Sequence, residues 1–69
     1  MYKDLTMREA YDYFKMGLPV ERYYVDSQGF HTDVGLLRER YSTEGKPGTW
    51  EEFRDTYSGY PPLFRLEVE

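Results

Sequence analysis

Along the first twenty residues Met7, Tyr11, Phe14 and Leu18 recur at spacings of four, three and four, with Arg8, Glu9, Asp12 and Lys15 falling between them. That is a single apolar stripe on a helix. Thr6-Met7-Arg8-Glu9 forms a capping box at its start, with Leu5 and Ala10 at the staple positions around it. Gly17 supplies a left-handed stop and Pro19 forbids continuation, so the pattern predicts a helix over 7–16. Val20 to Val25 then reads as a strand, rich in β-branched and aromatic residues. Asp26-Ser27-Gln28-Gly29 has the signature of a type I turn returning into Phe30–Thr32. Asp33 is placed to cap a short helix carrying Val34, Leu37 and Tyr41, although Gly35 within it is unfavourable. Residues 42–48 read as a loop. Thr49-Trp50-Glu51-Glu52 is a second capping box, followed by Trp50, Phe53 and Tyr57 on one helical face and a stop at Gly59. From Leu63 onward the chain alternates, with Phe64, Leu66 and Val68 on one face and Leu63, Arg65, Glu67 and Glu69 on the other, as a half-buried strand does.

These elements predict one α+β domain over 1–69, in the order α-β-β-α-α-β, with a three-stranded, mostly antiparallel sheet packed by helices. The strand Leu63–Val68 is expected at an unpaired edge, able to join its copy in a homodimer.

Composition changes this picture in one respect. Leucine, valine and phenylalanine number only fourteen in 69 residues and isoleucine is absent, whereas there are eight tyrosines and one tryptophan. The core is therefore expected to be aromatic, with Tyr11, Tyr41 and Tyr57 facing inward. So little aliphatic material leaves none for a reaction cleft beside the core, and the work is expected of an outer face. No apolar run approaches 20 residues and the start has no apolar h-region, so neither a membrane helix nor a signal peptide is expected. With no cysteine there is no disulfide framework or thiolate site, which fits the cytoplasm.

Candidate chemistry is sparse. His31 is the only histidine, and Asp33 and Asp26 are its only nearby partners, too few for a zinc site. Ser27, Ser42 and Ser58 sit in no nucleophile context. Glu51, Glu52 and Asp55, like Glu67 and Glu69, fall on solvated faces where a carboxyl keeps its ordinary acidity. Gly45-Lys46-Pro47-Gly48-Thr49 lacks the Gly-Lys-Ser/Thr run of a phosphate loop. No catalysis, cofactor or metal is expected. A net charge of −4 disfavours direct nucleic-acid binding.

The excess of tyrosine, together with six arginines among nine cations, is the composition of protein–protein hot spots. Tyr13, Tyr60 and one of the adjacent pair Tyr23 and Tyr24 are expected exposed or half exposed. The surface expected to bind comprises Arg22, Tyr23, Tyr24, His31 and Tyr60, with Glu51, Glu52 and Asp55 as its acidic rim.

The opening Leu5-Thr6-Met7-Arg8-Glu9-Ala10-Tyr11, the run Lys15-Met16-Gly17-Leu18-Pro19-Val20-Glu21-Arg22, and the ending Thr49-Trp50-Glu51-Glu52-Phe53 before the strand Leu63–Val68 resemble short phage and prophage proteins. That group includes inhibitors of bacterial defence systems, anti-CRISPR proteins among them. The resemblance implies a cytoplasmic, non-catalytic inhibitor of a larger bacterial protein. Tyr23 and Tyr24 stand where several of the group carry Trp and a second basic residue, which weakens any nucleotide-binding expectation. Two alternatives stay open: an acidic mimic of nucleic acid that blocks a binding groove, and a homodimeric adaptor joined through the terminal strand.

Overall fold

The computed structural model describes residues 1–44 and 48–68. Seven elements follow in order: β1 (Tyr2–Leu5), α1 (Met7–Lys15), β2 (Val20–Val25), β3 (His31–Leu36), α2 (Leu37–Glu44), α3 (Trp50–Thr56) and β4 (Leu63–Glu67). The α+β architecture is as expected, but the sheet has four strands, not three, in the order β1-β4-β2-β3. Every neighbouring pair is antiparallel. β1 and β2 therefore run parallel to each other with β4 inserted between them and α1 crossing from one to the other, a split β-α-β unit.

That insertion corrects one expectation directly. Leu63–Val68 is not a free edge: β4 pairs with Leu5–Tyr2 on one side and with Val20–Tyr23 on the other. Both its hydrogen-bonding edges are filled within the chain, so it has none to offer a second copy. The edges of the sheet are β1 and β3.

Local chemistry explains the elements. At α1 the capping box is complete: the Thr6 hydroxyl accepts from Glu9 N at 3.1 Å and the Glu9 carboxylate accepts from Thr6 N at 3.0 Å. That backbone donor holds the Glu9 carboxyl below its usual range. At the other end Gly17, at φ +85°, lets its N–H reach Phe14 O and lets Leu18 N reach Tyr13 O, both at 3.0 Å. These two bonds are the Schellman pattern. At α3 the box is only half formed: Thr49 Oγ1 accepts from Glu52 N, but the Glu52 carboxylate turns to Gly48 N at 2.8 Å.

The β2–β3 hairpin turns where expected, with the Asp26 carboxylate accepting from Gln28 N and Phe30 N at 2.9 Å each. Beyond it the structure departs from the reading. β3 does not end at Thr32 but continues to Leu36, and Asp33 caps no helix. Tyr24 pairs with Thr32 and Arg22 with Gly35, so Tyr23 faces two residues, Asp33 and Val34, across a β-bulge. Asp33 takes φ +53° there, a left-handed conformation that aspartate tolerates better than most residues. α2 begins only at Leu37 and extends through Glu44 into the region read as a loop, while Gly45 to Pro47 lie outside the described residues.

All three helices pack on one face of the sheet, and the core there is aromatic. Phe53, fully buried, has the rings of Tyr11, Tyr57, Phe64 and Phe14 between 5.1 and 6.4 Å from its own. Ala10, Val20, Leu37 and Leu66 fill the gaps. Among the described residues no helix is long and apolar enough to cross a membrane.

Candidate functional site

The opposite face of the sheet carries no helix. Strand pairing places Tyr2 beside Glu67, Asp4 beside Arg65, Glu21 beside Arg65 and Tyr23 beside Leu63. Paired residues share a face, so these side chains, with His31 opposite Val25, form one bare surface. Arg65 is its centre. The guanidinium lies 4.0 Å from the Tyr2 ring centroid and 4.9 Å from that of Tyr23, and Nε donates to the Glu21 carboxylate at 2.7 Å. Burial works against the guanidinium's charge, but the hydrogen bond and charge of Glu21 outweigh it and raise the affinity for the proton. Nη1 lies 3.3 Å from His31 Nδ1. A guanidinium can only donate, so in this contact Nδ1 is the acceptor. The His31 ring lies 4.5 Å from that of Tyr23.

The result is a tyrosine that faces away from the hydrophobic core and is yet only 7% exposed. At the hairpin end this surface runs into exposed apolar groups: Leu63 at 50%, Phe30 at 67%, with Val25 and Val34 also exposed. Isolated exposed apolar side chains are ordinary, but several at one end of a small domain mark a contact surface. Among the described residues of this face, Asp4 and Glu67 add negative charge to a Glu21–Arg65 pair that is itself neutral, so the surface is acidic.

The residues expected to form one patch are divided between three places. Tyr23 and His31 lie on the bare face, with Tyr23 buried rather than exposed. Arg22, Tyr24 and Tyr60 lie on the helix side, where the Tyr24 and Tyr60 rings stack at 5.2 Å and Tyr60 is 73% exposed. Tyr13 is half-buried against the core, under Lys3. Glu51, Glu52 and Asp55 are exposed on α3, which packs on the helix side, so they cannot rim the bare face.

No family model, curated protein or solved structure matches this chain. The likeness to phage proteins therefore rests on the sequence signals alone.

A second feature was not anticipated. Despite the scarcity of aliphatic residues there is a cleft of about 490 Å3 on the helix side, lined by Arg22, Tyr24, Glu39, Arg40, Tyr41, Thr56 and Tyr57. Its walls are tyrosine rings and arginine stems in place of aliphatic side chains. Arg22 and Arg40 reach Asp33 from two sides, at 2.6 and 2.8 Å. They hold the Asp33 carboxyl below its usual range: the hydrogen bond from Arg40 outweighs the opposing effect of desolvation, and the nearby charge of Arg22 adds to it. Arg40 can lie across β3 because residue 35 is glycine, where a Cβ would sit 3.1 Å from its Nε and Nη2. The Tyr57 hydroxyl bonds that of Tyr41 at 2.9 Å. Burial, reinforced by that bond, pushes the Tyr57 phenol well above its ordinary pKa. Among the described residues no group of His, Cys, Asp or Glu is arranged to hold a metal.

Proposed function

We propose that this chain is a non-catalytic binding protein and that the bare sheet face is its recognition surface. The observation that carries this reading is the Tyr2–Arg65–Tyr23 sandwich, continued by Leu63 and Phe30 at the hairpin end. Rigid aromatic and arginine groups beside exposed apolar side chains are what alanine scanning finds at the centres of interfaces. The acidic rim, supplied by Asp4 and Glu67, favours a partner whose surface is basic around an apolar centre. The same rim disfavours a second copy of this chain, since two net-negative faces would meet. A larger bacterial protein of the kind that phages block, met in the cytoplasm, is the partner the sequence resemblance suggests. If its basic surface is a nucleic-acid groove, this reading and that of an acidic mimic coincide.

The test is a comparison of faces. Leu63→Lys and Tyr2→Lys each add one unit of positive charge to the bare face, whereas Glu51→Gln and Asp55→Asn shift α3 by the same single unit. Protein retained from a bacterial lysate by the unaltered chain is purified and its affinity measured for all four folded variants. The bare-face pair is expected to lose about tenfold or more each, and the α3 pair less than about threefold. Equal losses, or loss confined to the α3 pair, would refute the assignment.

A further inference from the structure

The bare face is polarised along its strands. Leu63 and Val25 stand exposed toward the hairpin turn, with Phe30 beside them. Asp4 and Glu67 stand exposed toward the other end, on β1 and β4. Among the described residues neither carboxylate has an ion-pair partner, whereas Glu21 is taken up by Arg65. Leu63 is four residues from Glu67 on β4, and Val25 lies two residues beyond Tyr23, which pairs with Leu63. At about 3.3 Å per residue, the apolar and acidic ends are about 20 Å apart. The hydrogen-bonding groups of a strand point along the sheet, so an extended segment laid on this face would leave its own N–H and C=O groups unpaired. The two free edges serve an added strand poorly. β1 has only four residues, and β3 is interrupted by the bulge at Asp33, whose carbonyl already accepts from Arg40. A helix, by contrast, satisfies its backbone internally, and helices already cover the other face of this sheet.

We propose that the occupant of the bare face is an amphipathic helix of the partner protein, basic at one end, a proposal that rests on reading this face as the recognition surface. At about 1.5 Å per residue, ~13 residues of helix cover the distance between the two ends. The apolar stripe of that helix packs on Leu63, Val25 and Phe30, and lysines or arginines in its terminal turn meet Asp4 and Glu67. Between them lies the Arg65 guanidinium, flat across the strands and neutralised by Glu21. Unpaired carboxylates at one end of the face select a helix whose cations are likewise at one end. Apolar anchors repeating along one helical face are the usual way such an element docks.

The probes are three synthetic peptides of about 16 residues, titrated into the intact nitrogen-15-labelled chain and followed by NMR. The first carries a leucine stripe at helical spacing and lysines in its last turn. The second has glutamates in place of those lysines, and the third has prolines at central positions off the stripe, which break the helix. The first is expected to move the amide signals of Phe30, Leu63 and Glu67, to leave those of Glu51 and Asp55 in place, and to gain helix on binding by circular dichroism. The second and third are expected to bind at least about tenfold more weakly. Glu67→Gln, at an exposed site, should narrow the preference for the lysine peptide over the glutamate peptide several-fold. No shift on the bare face, or equal binding of either the glutamate or the proline peptide, would overturn the proposal. If that happens while Leu63→Lys still loses the protein captured from lysate, the face stands as the recognition surface and its helical occupant alone falls; if Leu63→Lys keeps that protein, both fall.

Discussion

On the helix side of the sheet Phe53 is covered by other rings, whereas on the bare side Tyr23 is covered by a guanidinium and an imidazole. Both rings lie under 10% exposed. The first arrangement needs partners from α1, from the two ends of α3 and from β4. The second needs only strand neighbours, because Arg65 lays its apolar stem and flat head across the pleat while Glu21 pins the charge. A chain too short to cover both faces of a sheet with helices can still shield one face from water in this way. It leaves that face polar at its edge and available for contact.

If the comparison is right, the two faces should fail differently. Phe53→Ala removes the centre of the ring cluster and is expected to cost about 3–5 kcal/mol. A domain of this size holds about 3–10 kcal/mol in all, so circular dichroism should show much of the chain unfolded at 25 °C. Arg65→Ala uncovers Tyr23 and leaves Glu21 half-buried without its partner, a cost of about 1–3 kcal/mol by urea unfolding. Arg65→Met retains the stem and should recover part of that loss. Methionine no better than alanine would show that the cover over Tyr23 is electrostatic, and the contrast drawn above would not stand.

What could be read from the residues and what could not divides along the same line. α1, β2, the Asp26 turn and the inward face of β4 are written locally, in caps, stops and alternation, and the aromatic core followed from composition. β1 was missed because Lys3 holds an inward position, its ammonium over the Tyr13 ring, which spoils the alternation of Tyr2-Lys3-Asp4-Leu5. β3 was cut short because Asp33 and Gly35 are poor strand residues; only the distant Arg22 and Arg40 account for them. The bare face was half legible. Arg65 and Glu67 stood on the outward side of an alternating strand, but nothing local shows that Arg65 meets Glu21 and Tyr2 from two other strands. The same non-local pairing put β4 in the middle of the sheet.

A subtler difference concerns protons. Tyr57, on the covered side, is held neutral by burial and by its bond to Tyr41, with the Arg22 charge opposing. Its phenol is raised in the folded state, so stability is intact below the ordinary tyrosine value of about 10 and declines as the pH rises through it toward the folded value. In an alkaline titration followed at the phenolate absorbance, one tyrosine should keep its proton beyond about pH 11 for as long as the chain stays folded. That last step should vanish in Tyr57→Phe. Its persistence would place the protected phenol elsewhere.

The smallest expected effect tests how firmly the cleft is held. Gly35→Ala puts a methyl group 3.1 Å from Arg40 Nε and Nη2, against the end of a long side chain and not against backbone. Arg40 can yield by a few tenths of an ångström, at the expense of its contacts to the Asp33 carboxylate at 2.8 Å and carbonyl at 3.0 Å. Alanine in a strand also removes freedom from the unfolded chain, a gain of about 0.4–1 kcal/mol. The two effects oppose each other, and thermal unfolding should show a net change within about 0.5 kcal/mol. A much larger loss would mean that Arg40 cannot move aside, and that the floor of the cleft is as rigid as the ring cluster beneath the helices.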